Sequence, residues 1–71
     1  MVVVDQLVRF DAFEYVKGGS DKQTLMVTGT VYEVNYAHKV FHVAFEIGGT
    51  EQRTSFKFCD IGKKVKVYSG V

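Results

Sequence analysis

Apolar and polar residues alternate most regularly in the middle of this chain. Apolar side chains occupy every second position there, at Phe41, Val43, Phe45 and Ile47. Because successive side chains of a β-strand point to opposite faces, this pattern predicts a strand over Val40–Ile47 with one buried face. The segments Val27–Val34 and Glu51–Phe58 have similar compositions, so the three together predict an antiparallel meander.

Turn residues separate the three predicted strands. The segment Asn35–Lys39 predicts the first turn, and we expect His38 to close it. The segment Gly48–Thr50 predicts a tight hairpin turn, because glycine readily adopts positive φ. Both connections are short, as expected for neighbouring antiparallel strands.

The first of these strands contains two irregularities. Gly29 lies inside it, and an internal glycine is typical of a close backbone approach, a bulge or a strong bend. Val31 and Val34 are three positions apart rather than two. A β-bulge near Tyr32–Glu33 would place both valines on the core side.

The two ends of the chain complete a prediction of five strands. A first strand lies within residues 1–10, and the pattern leaves open whether Val2–Val4 belongs to it. The segment Asp11–Thr24 lacks alternation and predicts a long loop with a glycine tip. One turn of 3₁₀ helix is predicted at Cys59–Gly62, and the last strand at Lys63–Tyr68.

A chain of 71 residues is predicted to be one domain, residues 1–71, with a small core. Ile61 is expected to close one end of this core. The predicted core residues share an inward position on the five strands or the 3₁₀ turn: Val8, Phe10, Val31, Val34, Phe41, Val43, Phe45, Phe56, Phe58, Ile61, Val65 and Val67.

Composition and charge narrow the functional classes. The nine basic and eight acidic side chains give a net charge of +1, which by itself does not imply nucleic-acid binding. Cys59 is the only cysteine, so we expect no disulfide, and strand alternation predicts a half-buried structural thiol. A lone thiol without a signal peptide predicts a cytoplasmic location. Apolar runs are short, so no membrane span is expected.

The order of features resembles an SH3-like barrel of the KOW and Tudor type. The resemblance rests on Gly29–Val34 followed by Val40–Phe45 and a glycine turn, and it covers most of the chain. It implies a small five-stranded all-β barrel with a long loop after the first strand and a 3₁₀ turn before the last. An OB-like barrel is the alternative, although no segment supplies the helix usual between its third and fourth strands.

A narrower resemblance concerns short hypothetical proteins of Gram-positive phages and mobile elements. It rests on Gln6–Phe13, on Gly29–Val34 with Asn35 and His38, and on Arg53–Phe58. That group has no established activity. The resemblance therefore implies a phage or prophage origin and supplies no catalytic residues.

The residues do not predict an enzyme, a cofactor or a metal. His38 and His42 are four positions apart, which suits shared metal ligation on a helix but not on a turn and a strand. Ser55, His42 and Asp60 have the residue types of a hydrolase triad without a spacing that orders them. The glycine pairs are turn residues rather than a phosphate-binding loop.

The outward face of the sheet is the predicted binding surface. Tyrosine and arginine are frequent at protein interfaces, and aromatic rings among basic residues also suit single-stranded nucleic acid. A protein-interaction module with an unknown partner is the first hypothesis, and a nucleic-acid-binding domain is the alternative. The candidate binding residues are Tyr32, Tyr36, His42, Arg53, Lys57, Lys64 and Lys66.

Two simpler interpretations remain open for these residues. The outward aromatic residues also serve as ordinary cross-strand pairs, and lysines on an edge strand discourage aggregation.

The free edges of an open barrel and a small core also favour a homodimer.

Overall fold

The computed structural model describes residues 2–13 and 24–68, and this part of the chain is all-β. Five antiparallel strands form one sheet in the order β4-β3-β2-β1-β5. The elements are β1 (Leu7–Asp11), β2 (Met26–Asn35), β3 (Val40–Ile47), β4 (Thr50–Lys57), a 3₁₀ turn (Phe58–Asp60) and β5 (Val65–Val67). The predictions of an all-β fold and of five strands are therefore confirmed.

Strand β2 changes partner along its length. Residues 26–30 pair with β1, and residues 30–35 pair with β3. The sheet also curls on itself, since the Phe10 ring of β1 lies 5.0 Å from the rings of both Phe45 and Phe56, on β3 and β4. These edge-on aromatic contacts join the two halves of the sheet across the core.

Gly29 lies at the centre of β2, where the strand passes from one partner to the other. A Cβ atom placed there would clash with the Val43 side chain, and it would lie 3.0 Å from the Ala44 carbonyl oxygen and 3.3 Å from the Phe10 ring. The backbone of β2 therefore approaches β3 and the Phe10 ring more closely than any side chain allows. This confirms the expectation of a close approach at Gly29.

Most of the predicted core is confirmed. The core residues with almost no exposed surface are Val2, Val8, Phe10, Ala12, Val31, Phe41, Val43, Phe45 and Val65. Four other predicted members pack against this core but are only partly buried, namely Val34, Phe56, Phe58 and Val67. The sequence pattern missed Val2 and Ala12, which lie outside the regular strands.

The prediction that Ile61 closes the core was wrong. Its backbone is extended, with φ −65° and ψ 127°, and forms a bridge with Val65. Its side chain is 37% exposed. Val2, by contrast, is 1% exposed, although β1 does not begin until Leu7.

The predicted irregularities and turns of the meander are confirmed. The register between β2 and β3 shifts between Val31 and Glu33, as a β-bulge requires. Gly48 and Gly49 have φ of 58° and 83°, which suits a two-residue hairpin turn. In the first turn, the His38 backbone N–H donates to Asn35 Oδ1 at 3.0 Å.

The C-terminal part of the chain differs in detail from the prediction. The 3₁₀ turn begins one residue earlier than expected, at Phe58, and the last strand is restricted to Val65–Val67. Cys59 is exposed rather than half-buried. Strand alternation stops where the 3₁₀ turn begins, so it no longer determines which way Cys59 points.

Side-chain hydrogen bonds fasten the N-terminal segment to the rest of the fold. The Tyr36 hydroxyl donates to the Val2 carbonyl oxygen at 2.7 Å. Gln6 accepts from the Val3 N–H at 3.1 Å and donates to the Tyr68 carbonyl oxygen at 3.0 Å. These bonds hold Val2 in the core. Val2–Val4 is not part of β1, and a turn at Val4 and Asp5 precedes that strand.

Asp11 is the last residue of β1 and not the start of the predicted loop, and its side chain joins the chain at Phe13 to the chain at Leu25. Its Oδ1 accepts from the Phe13 N–H at 2.9 Å and from the Leu25 N–H at 3.0 Å. These two bonds stabilise the carboxylate and lower the pKa of Asp11 below its ordinary value, with the Leu25 bond the larger cause. The glycine tip predicted within Asp11–Thr24 lies outside the described residues.

The packing at Gly29 generates a stability prediction. We expect Gly29→Ala to lower the free energy of unfolding by about 1–3 kcal/mol, because the added methyl group overpacks a closed site. Urea denaturation measures the change. Gly48→Ala is the control, since nothing lies within 4 Å of the added Cβ and only the strain of its positive φ remains, about 1–2 kcal/mol.

A second substitution identifies the clash as the cause. Val43→Ala removes the side chain that the new methyl group meets, so the double variant should be less destabilised than the sum of the two single variants. Additive losses, or a Gly29→Ala protein as stable as the wild type, would contradict the close approach.

The Asp11 carboxylate generates a pH prediction. Its pKa is lowered in the folded protein, so the unfolded chain binds the proton first as the pH falls below roughly 4. The stability from ionised Asp11 is therefore complete above that pH and is lost as the pH falls towards the folded-state pKa. Asp11→Asn should reduce this acid sensitivity, which urea midpoints measured across the acid range would show. A difference between the two proteins that does not change with pH would contradict this role.

Candidate functional site

Three predicted binding residues meet on the outward side of the sheet, and we call them the Tyr32 cluster: Tyr32, His42 and Arg53. The Tyr32 and His42 rings lie 6.0 Å apart between centroids, tilted by 33°. The Arg53 guanidinium carbon lies 5.1 Å from the centre of the Tyr32 ring, within the range of a cation–π interaction. Tyr32 remains 40% exposed, so its ring is held in place but still accessible.

The β-bulge explains why two successive residues, Tyr32 and Glu33, both lie on this side. Val31 points inward opposite Val43, and Glu33 is paired with His42 on the outward side. Tyr32 is the additional residue between these two pairs. The additional residue shifts the alternation by one position, so Val34 again faces the core opposite Phe41. The irregular spacing that the valines require thus also places the tyrosine beside His42.

His42 and Ser55 form a second contact of this face. They are directly opposite in the register of β3 and β4, and His42 Nδ1 and Ser55 Oγ share a hydrogen bond of 2.6 Å. Asp60, the third member of the residue set considered as a triad, accepts a hydrogen bond from the Lys57 backbone N–H at 3.0 Å instead. The histidine and serine therefore form a cross-strand pair on an open sheet face.

The charges of this face are mixed. Arg53 pairs with Glu51 at 3.1 Å, and Glu51 lies opposite Glu46, so the arginine relieves a repulsion between two carboxylates. The outward face of residues 30–35, β3 and β4 has five charged side chains. Three are carboxylates (Glu33, Glu46 and Glu51), and two are cations (Arg53 and Lys57). The sequence analysis did not single out Glu51, although its two-residue spacing from Arg53 places both on one face.

Lys57 lies at the end of this face, beside a small cavity. Its cross-strand partner is Val40. The cavity has a volume of about 190 Å³ and is lined by His38, Lys39, Val40, Lys57, Phe58 and Cys59. No pattern in the sequence indicated this cavity, because it forms where the turn before β3 meets the 3₁₀ turn after β4.

Tyr36 is separated from the Tyr32 cluster by its contacts. Its hydroxyl donates to Val2, and its ring lies 6.0 Å from the Phe58 ring at 77°. The ring is still 51% exposed. Tyr36 therefore combines a structural role with an accessible surface, and it does not contribute to the cluster around Tyr32.

The two C-terminal lysines lie in the other half of the sheet. Lys66 is on β5, directly opposite Arg9 of β1, and Lys64 lies in the turn before β5. β5 and β4 form opposite margins of the sheet. Apart from Tyr36, the candidate residues thus form two groups, one on β2–β4 and one of Lys64 and Lys66 at β5. Arg9 of β1 adds a third cation to the second, basic group.

Residues 2–13 and 24–68 contain no group of three or more histidine, cysteine, aspartate or glutamate residues that could hold a metal ion. Within the same ranges, no helix has the length and apolar character needed to cross a membrane.

Comparison of the chain with protein-family models, with curated proteins and with solved structures gives no match.

The Tyr32 cluster generates a prediction about coupling. In a double-mutant cycle with Tyr32→Leu and Arg53→Gln, we expect an interaction energy of about 0.5–1 kcal/mol in unfolding, as for an exposed cation–π pair. Thermal or urea unfolding of the four proteins measures it. The control cycle combines Tyr32→Leu with Lys57→Gln and should be additive. Additive effects in both cycles would show that the guanidinium does not stabilise the ring.

Proposed function

We propose that this chain is a non-enzymatic protein-interaction module with an SH3-like barrel fold. The strand order β4-β3-β2-β1-β5, the transfer of β2 from β1 to β3 and the 3₁₀ turn before β5 all support this fold. An OB-like barrel is less well supported, because β3 and β4 are joined by the Gly48-Gly49 turn and not by a helix.

The observation that carries the proposed function is the ring of Tyr32, which is packed against two neighbouring side chains but still accessible. His42 and Arg53 contact this ring, and it remains 40% exposed. An aromatic side chain whose position is already fixed loses little conformational freedom when a partner covers it. Tyrosine and arginine are also the residue types that dominate binding energy at protein interfaces. The outward side of β2–β4 is therefore the proposed binding face.

The charges of this face favour a protein partner over nucleic acid. Three carboxylates lie among its two cations, and Arg53 is already paired with Glu51. Phosphate groups would meet as much repulsion as attraction there. A protein surface with its own mixed charges fits this face better.

The proposal extends the resemblance to short proteins of Gram-positive phages and mobile elements. Under it, the partner is a cytoplasmic protein of the bacterial host or of the phage itself. In this proposal the chain provides a binding surface, and any enzymatic activity belongs to the partner.

A capture experiment with matched variants tests the binding face. Tagged wild-type protein should retain a specific protein from a lysate of a Gram-positive host, and Tyr32→Ala should reduce its affinity tenfold or more, the effect of losing about 2 kcal/mol at an interface. Lys63→Ala, in the turn before β5, is the control and should bind as the wild type does. Equal capture by all three proteins would exclude this face as the binding site.

One observation favours a second candidate function. Arg9 and Lys66 are directly opposite each other on β1 and β5, and like charges in that position destabilise a sheet. Neither makes an ion pair with another described residue. An anionic ligand such as a nucleic-acid backbone would relieve this repulsion, which supports nucleic-acid binding through the basic group with Lys64.

Fluorescence anisotropy separates the two candidates. Labelled single-stranded and duplex oligonucleotides at low salt should show no salt-sensitive binding if the protein-interaction proposal is right. Binding that weakens with salt and in Lys66→Glu would favour the second candidate, because displaced counterions make phosphate contacts salt-dependent.

A further inference from the structure

We infer that the cavity between the turn before β3 and the 3₁₀ turn after β4 binds one apolar side chain of an acidic peptide segment. This inference deepens the proposed function, on which it rests, by specifying the chemistry of the partner. It is carried by the lining of the cavity, by its charge and by the backbone of Lys39.

The size and lining of the cavity suit a single side chain. Its volume of about 190 Å³ lies below the several hundred Å³ usual for small-molecule sites. Its surface is mostly apolar, with Val40 and Phe58 among the lining residues. A buried apolar side chain from a partner, of the kind that anchors many protein interfaces, matches these properties.

The positive charge of the cavity lining favours acidic residues on either side of the partner's inserted apolar residue. Lys39 and Lys57 line the cavity, and no carboxylate does. Because the surface is mostly apolar, we infer that the two lysines line it chiefly with their methylene groups, as long cationic side chains do when their charged ends stay in water. Neither lysine forms an ion pair with a residue in the described part of the chain. Glutamates or aspartates on either side of an inserted apolar residue would pair with these ammonium groups.

The backbone of Lys39 supports a role for its side chain. Its φ is +58°, a left-handed conformation that costs an L-residue other than glycine or asparagine about 1–2 kcal/mol. Strained positions of this kind are concentrated at binding sites and other functional sites. A turn with glycine at this position would be more stable, but it would lack one of the two cations at the cavity.

The cavity is also continuous with the proposed binding face. Val40 and Lys57 form the cross-strand pair next along the sheet from His42 and Ser55, with one residue between them on each strand. A peptide that contacts Tyr32 and follows the strands would therefore reach the cavity within a few residues.

Cys59 provides a direct measurement of occupancy. It lines the cavity, it is exposed, and it is the only thiol of the chain. The probe is an acetylated, amidated pentapeptide of one phenylalanine with two glutamates on each side. At millimolar concentration, we expect it to slow the alkylation of Cys59 by iodoacetamide at least threefold, and about 0.5 M salt should remove most of this protection.

Matched peptides and variants test the two parts of the inference. The same peptide with glutamines in place of glutamates should protect Cys59 less. Lys39→Asn keeps a residue that tolerates the left-handed conformation but removes the ammonium group. It should reduce protection at least threefold, as should Lys57→Gln, whereas Lys63→Gln, outside the cavity lining, should not change it.

The outcomes also distinguish this inference from the proposed function. No protection of Cys59 by the acidic peptide, or equal protection by the glutamine peptide, would overturn the inference, even if Tyr32→Ala abolishes capture of a partner. Protection of Cys59 that depends on both lysines would support it, even if Tyr32→Ala leaves capture unchanged and the proposed binding face is wrong.

Discussion

The close approach of β2 to β3 at Gly29 is the constraint on which the rest of this structure depends. A side chain at this position would clash with Val43 and crowd the Phe10 ring. Because the site accepts only a hydrogen atom, β2 can leave β1 and join β3 within a single continuous strand. The resulting curl brings Phe10 against aromatic rings on β3 and β4, and it closes the core of a chain that is too short to bury much of its surface otherwise.

The change of partner along β2 also divides the outward surface. One half, on β2–β4, combines the Tyr32 cluster with mixed charges, and the other, on β1 and β5, has Arg9 opposite Lys66. A single binding surface made of tyrosines and lysines together would need these groups to be neighbours in the sheet, and they are not. The separation is the reason that protein binding and nucleic-acid binding are competing proposals for different surfaces.

Local patterns were sufficient to predict the meander but not the ends of the core. Alternation around Phe41 and the glycine turn at Gly48 depend on neighbouring residues, so both could be predicted. The burial of Val2 depends on a hydrogen bond to Tyr36, which is distant in sequence, and no local pattern contains it. The prediction for Ile61 was wrong because it placed this residue inside the 3₁₀ turn, whereas that turn ends at Asp60 and Ile61 forms a bridge with Val65.

The candidate site was also predictable only where local sequence patterns determine it. Alternation placed Tyr32 and Arg53 outward, but their contact requires the bulge and the cross-strand register. The cavity was not predictable, since the left-handed conformation of Lys39 lies in a turn where glycine or asparagine would be expected. Lys57 belongs both to the outward face and to the cavity lining, so one partner that contacts Lys57 would reach both surfaces. If the partner is a protein, the Tyr32 cluster would provide an aromatic contact surface. The cavity would then discriminate among partner segments by their sequence.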